Sequence, residues 1–307
     1  MSTNANPTAS VIIPVYDDYE RLQSCLEALD EQTYPAHAHE VIVADNGTPP
    51  ERRIDMAERF DNVRMTVETK TGSYAARNAG LEVAAGEILA FTDADCLPEA
   101  QWLEEGVRTL EETENCGMVG GPISLFPEDA THPTLAETWE LERGFPQRSY
   151  VEELNFSATA NMFTTRDVID DVGSFDDDLK SGGDREFGER VAAAGYRQLY
   201  APEARVRHPA RRAMRDLLKK TVRTTRGDYR RREKKGEFSP PTRLLRLLRA
   251  AGDVAISPLR LGWLIATEGK PVDEAVKFAL ADTLVSSTRE LVAIEQLGTH
   301  LPDRNET

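Results

Sequence analysis

The chain has 307 residues, of which 53 are acidic and 37 basic, so its net charge is −16. That length can bury one large core with an appendage, or two modest domains. A surface this rich in carboxylates, with 8 Lys among its basic residues, is typical of halophilic proteins and disfavours a general nucleic-acid partner.

In the first half of the chain, short β-rich runs alternate with helical patterns. Strands are predicted at residues 11–15, 40–44, 63–67 and 88–92. This alternation predicts an α/β fold, doubly wound around a mostly parallel sheet. Ligands bind beyond the carboxyl ends of the strands in such sheets, which is where Asp17, Asp45 and Asp93 fall.

Two aspartates, Asp93 and Asp95, follow the fourth strand one residue apart. Strand side chains alternate between faces, so both carboxylates can project to the same side. Hard carboxylate oxygens suit a divalent cation that also holds phosphates. The alternative is a solvated turn, in which aspartate is common.

The second half of the chain is predicted to change from mixed to helical structure. A strand is expected at residues 118–125, an extended segment at 156–165, and helices at 135–141, 184–194, 214–232, 243–256 and 273–296. The sequence therefore predicts a catalytic domain at residues 1–209 and a helical C-terminal region at 210–307.

The start of the C-terminal region is strongly basic. Residues 204–250 contain 17 Lys and Arg against 4 Asp and Glu, a net charge of +13, which leaves −29 for the rest. Three interpretations are open: a surface that docks on anionic lipid, a lid over a donor diphosphate, or a counter-charge to the acidic domain.

The sequence also bears on location. Cys25, Cys96 and Cys116 are odd in number and lack C-x-x-C spacing, which argues against a disulfide framework or a zinc site. The first ten residues have neither the basic nor the apolar region of a signal peptide, and no run reaches the ~20 apolar residues of a membrane span. We therefore expect a cytoplasmic protein, with contact at the inner face of the membrane still open.

Several motifs occur in a characteristic order along the chain. The sequence contains SVIIPVYD from Ser10, ADNG from Ala44, ARNAG from Ala76, DADC from Asp93, GGDREFGERV from Gly182 and VRHP from Val206. Together they resemble family-2 glycosyltransferases, which are inverting nucleotide-sugar enzymes of the GT-A fold. The resemblance covers roughly residues 10 to 209.

The resemblance implies a donor-binding site. Pro14 and Tyr16 resemble residues that line the nucleotide pocket, Asp45 aligns with the aspartate that bonds the base, and Arg77 resembles a basic contact to the nucleotide. Gly72 would let a helix N-terminus approach the donor phosphates. From the residues alone, Asp45 could instead belong to a hairpin turn and Arg77 to a helix surface.

The resemblance also implies a metal site and a catalytic base. Asp93 would face the ribose or the metal, Asp95 would bind the metal, and His208 would be a third ligand to Mn²⁺ or Mg²⁺ rather than an ordinary loop residue. Asp184 occupies the position of the base in a motif that commonly reads Glu-Asp, although Gly183 replaces the Glu. Its alternative role is a helix N-cap, with Glu186 as the substitute base.

These residues predict a metal-dependent, inverting glycosyltransferase that uses a nucleotide-sugar donor. The expected acceptor is a hydroxyl of a glycan or lipid-linked saccharide, with peripheral contact to an anionic membrane. A polyprenyl-phosphate sugar synthase is the alternative within the family. A nucleotidyltransferase and a non-catalytic sugar-binding protein are alternatives from other classes.

Overall fold

The computed structural model describes residues 8–236 and 271–299, with the side chains of 297–299 excluded. The strands are β1 Ala9–Val15, β2 His39–Asp45, β3 Val63–Val67, β4 Ile88–Phe91, β5 Leu97–Pro98, β6 Cys116–Gly120, β7 Ile123–Phe126, β8 Met162–Thr165, β9 Arg197–Tyr200 and β10 Val206–Pro209. The α-helices are α1 Tyr19–Asp30, α2 Ser73–Val83, α3 Trp102–Glu111, α4 Leu135–Arg143, α5 Gln147–Glu152, α6 Arg166–Val172, α7 Gly183–Ala193, α8 Met214–Lys234 and α9 Val272–Thr299. The predicted helix at 243–256 lies outside the described residues.

A mixed sheet of seven strands organises the fold, in the order β3-β2-β1-β4-β8-β6-β9. Strand β8 is antiparallel to β4 and β6, whereas the other neighbouring strands pair in parallel. A small second sheet has the order β5-β10-β7. The α/β class with a mostly parallel sheet, predicted from the sequence, is confirmed.

Both faces of the large sheet are buried. Ile13 packs with Leu22 and Trp102 in one apolar cluster, while the adjacent Ile12 packs with Phe91 in a second cluster on the opposite face. This follows from strand geometry, because successive side chains point to opposite faces. An entirely apolar strand is expected where helices cover both faces of a sheet.

One sequence prediction for this region was wrong. The single strand expected at residues 118–125 is two strands, β6 and β7, which belong to different sheets. The chain changes sheet at Gly121 and Pro122, where a Cβ on Gly121 would lie 1.9 Å from the carbonyl oxygen of Ala204. Pro122 cannot donate to a ladder, and its carbonyl accepts from Val206 N at 3.0 Å.

The chain divides into two compact units. Unit 1 comprises Met1–Leu125 and Phe145–Pro209, and unit 2 comprises Phe126–Gly144 and Ala210–Thr307. The sequence-based division at 209/210 did not anticipate that residues 126–144 belong with the C-terminal unit. The reason is long-range pairing, because α4 contacts the helices that follow residue 210.

Unit 2 is held together by ion pairs around buried carboxylates. Glu140 accepts hydrogen bonds from Arg211 N (2.7 Å), Arg211 Nη1 (2.9 Å) and Lys220 Nζ (2.9 Å). Asp282 on α9 accepts from Trp139 Nε1 (2.9 Å) and Arg143 Nη2 (2.6 Å) on α4. Part of the basic charge after residue 210 is therefore neutralised within its own unit.

The length and hydrophobicity of the described helices bear on whether any of them could span a bilayer. None of the helices within 8–236 and 271–299 is both long enough and apolar enough to cross a membrane. The expected cytoplasmic location stays a prediction.

Candidate functional site

The candidate site lies in unit 1, at the carboxyl ends of the central strands. Asp45 is the last residue of β2, and Asp93 follows β4 by two positions. Strand β1 pairs in parallel with both β2 and β4. Their carboxyl ends therefore share one edge of the sheet, as the sequence predicted.

Four possible metal ligands cluster at this edge. Ligand atoms of Asp93, Asp95, Cys96 and His208 all lie within 4.8 Å of one another. The small sheet explains the arrangement, because Leu97 of β5 pairs with Arg207 of antiparallel β10. That register brings His208 beside the residues just before β5, although more than a hundred positions separate them.

One hydrogen bond of His208 distinguishes its two ring nitrogens. Nδ1 lies 2.8 Å from the carbonyl oxygen of Pro209, and because that oxygen can only accept, Nδ1 is the donor. Nε2 then presents a lone pair toward Asp95 Oδ1, at 3.6 Å. Two electron-rich atoms at this distance fit a cation between them.

The chemistry of the donor atoms selects the kind of metal. Burial raises the pKa of the Cys96 thiol well above its ordinary value, with the Asp93 carboxylate adding to the rise, which favours the neutral thiol. The remaining set of two carboxylates and one imidazole fits Mn²⁺ or Mg²⁺. An imidazole ligand favours Mn²⁺ of the two.

A buried arginine adjoins this cluster. Arg77 on α2 is 3 % exposed, and its Nη2 donates to Asp93 Oδ1. Its Nε is buried and has no hydrogen-bond partner within the described ranges. An arginine with unused donor capacity beside a cation site is suited to an anionic ligand, but the contact of Arg77 with a nucleotide stays a prediction.

Asp45 occupies a different environment from the metal cluster. It is fully buried, and its carboxylate accepts from Tyr19 Oη (2.6 Å) and Thr48 N (3.0 Å) and pairs with Arg53 Nε (3.3 Å). The hairpin-turn alternative for Asp45 is wrong, since β2 is parallel to both of its neighbours. A carboxylate has about four acceptor positions, so most of its capacity is already used.

The loop after β2 contacts the start of α2. Asn46 Oδ1 accepts from Gly72 N at 2.7 Å, and Asn46 Nδ2 donates to the carbonyl of Lys70 at 2.9 Å. Gly72 is the N-cap of α2 and has φ 141°, which favours glycine. Because the N–H of Gly72 is engaged by Asn46, an anion at this helix would have to meet the N–H groups that follow.

The residues after β1 form the exposed border of the site. Tyr16 is 64 % exposed, which leaves its ring available for a ligand. Asp17 adopts a left-handed φ of 54° and pairs with Arg52 at 2.6 Å. Pro14 lies within β1, one residue before the strand ends, and is partly buried.

Asp184 lies in the first turn of α7. The N-cap is Gly182, so the interpretation of Asp184 as an N-cap was wrong. Asp184 Oδ1 accepts from Tyr74 Oη (3.2 Å) and Arg185 N (2.9 Å). Burial raises the pKa of Asp184 above its ordinary value, against the opposing effects of the Arg185 N–H and the Arg77 charge.

Glu186 is a poor substitute for Asp184 as a base. Both of its carboxylate oxygens accept from the Arg190 guanidinium, at 2.8 and 2.9 Å, along the same helix. A bidentate pair of this kind engages both carboxylate oxygens of Glu186 within its own helix. Asp184 is the better candidate to take up a proton.

The structure also adds residues that the sequence did not single out. Tyr19 and Arg53 contact Asp45, Tyr74 contacts Asp184, and Cys96 lies within the metal cluster. Cys96 directly follows Asp95, so its proximity was readable from the sequence. The contacts of Tyr19, Arg53 and Tyr74 gave no such signal, because each depends on long-range packing.

Helix α2 connects the two chemical centres. Tyr74 donates to Asp184, and Arg77, three residues later on the same helix, donates to Asp93. Residues spaced by three are neighbours on a helix surface. One turn of α2 therefore contacts both a carboxylate able to accept a proton and a cluster able to hold a cation.

The chain is similar to known proteins in sequence and in fold. The sequence profile of the family described as glycosyl transferase family 2 matches residues 10–173. Glycosyltransferase AglE of Haloferax volcanii is 40 % identical over 231 residues, which cover 73 % of this chain and 74 % of AglE.

A second relative and a solved structure extend the comparison. A Methanococcus voltae protein, named dolichyl N-acetyl-α-D-glucosaminyl phosphate 3-β-D-2,3-diacetamido-2,3-dideoxy-β-D-glucuronosyltransferase, is 24 % identical over 226 residues (69 % of this chain, 70 % of that protein). Mannosyltransferase PcManGT from Pyrobaculum calidifontis, solved with GDP-Man and Mn²⁺, superposes with a TM-score of 0.62 at 19 % identity, covering 96 % of this chain and 88 % of PcManGT. The similarity to PcManGT concerns the fold.

Proposed function

Because the chain belongs to glycosyl transferase family 2 and is a glycosyltransferase with the GT-A fold, we propose a specific reaction for it. A sugar moves from a nucleoside-diphosphate sugar to a hydroxyl of a lipid-linked saccharide, with inversion at the anomeric carbon. The observation that carries this proposal is that one turn of α2 contacts both centres: Arg77 donates to Asp93 of the cluster of Asp93, Asp95 and His208, and Tyr74 donates to Asp184.

The cluster is assigned to the donor diphosphate. Asp93, Asp95 and His208 would hold Mn²⁺ or Mg²⁺, with Nε2 as the ligating atom of His208. A divalent cation bound there supplies Lewis-acid stabilisation of the negative charge on the leaving diphosphate. Arg77 orients Asp93 through their ion pair and offers its unpaired Nε toward an anion.

Asp184 is assigned to the acceptor. Its raised pKa suits a general base, because catalysis by proton transfer is most efficient when the pKa lies close to the working pH. Tyr74 Oη and the Arg185 N–H both donate to Oδ1, so Oδ2 is the oxygen that we assign to the acceptor proton. A single in-line displacement assisted by this base inverts the anomeric carbon and requires no covalent nucleophile.

The nucleotide is assigned to the ends of β1 and β2. Tyr16 offers an exposed ring, Pro14 is partly buried near the end of β1, and Gly72 is the N-cap of α2. Asp45 remains the proposed recognition group for the base. Since it is fully buried, a direct bond to the base requires local displacement of Tyr19 or Arg53.

The acceptor proposal draws on the relatives. The Methanococcus voltae protein is named for transfer to a dolichyl-phosphate-linked saccharide, and 70 % of its length is covered by this chain. A lipid-linked acceptor would lie in a membrane, and the basic segment 204–250 could bind the anionic surface of that membrane. Each Lys or Arg near such a surface contributes roughly 1 kcal/mol of binding free energy. We include peripheral membrane contact in the proposal for that reason.

The first experiment tests donor and metal. Purified protein is screened with UDP-, GDP- and dTDP-sugars for release of nucleoside diphosphate in Mn²⁺, Mg²⁺ or excess chelator. Turnover should require the metal. Asp95→Ala should lower turnover by orders of magnitude and should also lose Mn²⁺ binding, measured by calorimetry. Asp170→Ala, an exposed aspartate on α6, is the matched control. Full turnover in excess chelator would contradict the assignment.

The second experiment tests membrane contact. The full chain should sediment with vesicles containing anionic lipid and remain in the supernatant with purely zwitterionic vesicles. Replacing Arg243, Arg246 and Arg249 by Gln should weaken sedimentation, whereas the matched replacements of Arg21, Arg59 and Arg108 in unit 1 should not. Equal recovery of both triple variants with the vesicles would count against docking through the basic segment.

A further inference from the structure

The side chain of Tyr74 fills the space next to Gly183. A Cβ built on Gly183 would lie 2.7 Å from Cε2 and 2.9 Å from Cδ2 and Cζ of the Tyr74 ring. Carbon atoms do not approach this closely without displacement. As long as the ring stays in place, position 183 therefore cannot carry a side chain, and this accounts for glycine at a position where the sequence motif commonly has glutamate.

The Tyr74 ring is fixed by its surroundings. It stacks on Phe175, with ring centroids 5.7 Å apart and an interplanar angle of 29°. Phe175 in turn packs edge-on against Phe91 at 5.3 Å and at a tilt against Phe187 at 5.0 Å. Tyr74 is 6 % exposed, and the Arg77 guanidinium lies 5.7 Å from its ring centroid. Because the ring is packed on these sides, moving it to another rotamer would cost packing energy.

The hydroxyl of the same side chain reaches the proposed base. Tyr74 Oη donates to Asp184 Oδ1 at 3.2 Å, across 110 positions of sequence. Burial raises the pKa of the Tyr74 phenol, with the nearby Asp184 charge adding to the rise, so the hydroxyl stays protonated and remains a donor. A buried donor aimed at a partly buried carboxylate fixes its rotamer and supports its charged form.

We propose that Tyr74 is a positioning residue for Asp184, and that Gly183 is required because the Tyr74 ring occupies the volume next to it. The ring sets the distance between α2 and α7, and the hydroxyl holds Oδ1 so that Oδ2 faces the acceptor. This inference rests on the proposed function, since it assigns Tyr74 a role through the base. Residues 74 and 183 are coupled, because a side chain at position 183 fits only when the ring at position 74 is removed.

The effect of the hydroxyl on Asp184 has a definite sign. The groups that act on the Asp184 carboxylate are Tyr74 and Arg77 from α2 and, from α7, the N–H groups of Arg185 and of Asp184 itself. All four lower its pKa against the larger effect of burial. Removing the hydroxyl removes one of these, so the pKa of Asp184 rises further. The base then becomes protonated at a higher pH than in the unaltered protein.

The first test compares two Tyr→Phe variants. Tyr74→Phe keeps the ring and removes the hydroxyl. Tyr196→Phe removes a hydroxyl that hydrogen-bonds Asp171, outside the site, and is the matched control. For Tyr74→Phe we expect kcat to fall roughly tenfold, as for a lost hydrogen bond to a charged group, with KM for the donor unchanged and the acidic limb of the pH profile moved to higher pH. An unchanged kcat and pH profile would overturn the positioning role.

A readout independent of turnover separates this inference from the proposed function. The pKa of Asp184 can be followed by carboxyl ¹³C resonances, assigned by comparison with Asp184→Asn. It should be higher in Tyr74→Phe than in Tyr196→Phe, whether or not any nucleotide sugar is turned over. Equal pKa values of Asp184 in the two variants would refute the contact between Tyr74 and Asp184, even in an active enzyme. A higher pKa in Tyr74→Phe, in a protein that turns over no nucleotide sugar, would support the contact and refute only the proposed function.

The second test addresses the coupling with Gly183. Gly183→Ala should lower the melting temperature when Tyr74 is present and should be nearly neutral in the background of Tyr74→Ser, where the ring is absent. This double-mutant cycle remains informative even if Gly183→Ala alone is poorly folded, because the double variant should recover. Additive losses in the two backgrounds would show that the ring does not restrict position 183.

Discussion

Two carboxylates of unit 1, Asp45 and Asp184, both accept a hydrogen bond from a tyrosine and one from a backbone N–H, but they differ in burial and in ion pairing. Asp45 is fully buried, contacts Tyr19 and Thr48 through different oxygens, and forms an ion pair with Arg53. Asp184 is partly exposed, accepts from Tyr74 and the Arg185 N–H on Oδ1, and has a pKa raised by burial. Asp45 has the environment of a structural carboxylate, and Asp184 that of a group able to take a proton.

The comparison shows how environment separates two chemically identical side chains. A carboxylate whose oxygens already accept from neighbouring donors and pair with an arginine stabilises the loop that contains it. A carboxylate that is desolvated with few partners is costly as an anion, and this cost makes it a better base. The predictions below test this contrast, and those with the greatest expected consequence come first.

The largest effect is expected for Asp184→Asn on catalysis. An amide cannot accept the acceptor proton, so turnover should fall roughly 10²–10⁴-fold, the range for loss of a general base. Donor binding should be unchanged, because the metal cluster and Arg77 are untouched. Steady-state kinetics and calorimetric titration with the donor would measure both.

One result of that experiment would revise the acceptor. A lipid phosphate is already an anion and needs no base. If Asp184→Asn kept near-full turnover while Asp95→Ala lost it, a polyprenyl phosphate would be the better acceptor. The contrast between Asp45 and Asp184 would then concern stability alone.

The second prediction concerns Asp45→Ala and the stability of the fold. The substitution leaves Tyr19 Oη and Thr48 N without an acceptor and Arg53 without its anion. We expect a loss of about 2–4 kcal/mol in the free energy of unfolding, measured by denaturant titration. Asp45→Asn should lose less, because its amide oxygen can still accept one bond. Equal stability of Asp45→Ala and the unaltered protein would contradict a structural role for Asp45.

The third prediction compares the two tyrosines. Burial raises the pKa of Tyr19, so its phenol is a permanent donor to Asp45. Tyr19→Phe should cost about 1–2 kcal/mol of stability and leave the acidic limb of the pH–rate profile where it is. Tyr74→Phe is expected to move that limb. A shift with Tyr19→Phe would mean that Asp45 also titrates during turnover.

The smallest effect is expected for Asp184→Asn on stability. Folding raises the pKa of Asp184, so the charged carboxylate is less favourable in the folded state than in the unfolded chain. The penalty is absent below the ordinary carboxyl pKa of about 4, where both states are protonated, and is complete above the raised pKa. Asp184→Asn should therefore melt slightly higher than the unaltered protein at pH 7, with the difference vanishing toward pH 4. Lower stability at pH 7 would show that the bonds to Oδ1 outweigh burial.

Local features of the fold were readable from the sequence. The strand predicted at residues 63–67 coincides with β3, and the helix predicted at 184–194 overlaps α7, which is followed by Gly195 with φ 89°. Periodicity and glycine placement encode such elements within a few residues, so no distant contact is needed to infer them. The Asp93-x-Asp95 motif was visible for the same reason.

Long-range contacts were not readable in this way. Residues 118–125 split between two sheets, residues 126–144 joined the C-terminal unit, and Tyr74 packed against Gly183. Each outcome depends on packing between segments far apart in the chain, which local propensity does not specify.

The residues of the candidate site also fall into those predicted from local sequence and those brought together by long-range contacts. That aspartates follow the central strands was predictable from the sequence, because strand length and alternation are local properties. Only tertiary packing could show that His208 meets Asp95, through the pairing of β5 with β10, and that α2 presents Tyr74 to Asp184 and Arg77 to Asp93. The contacts of Asp45 with Tyr19 and Arg53, and the burial that raises the pKa of Asp184, likewise arise only when separate segments pack together.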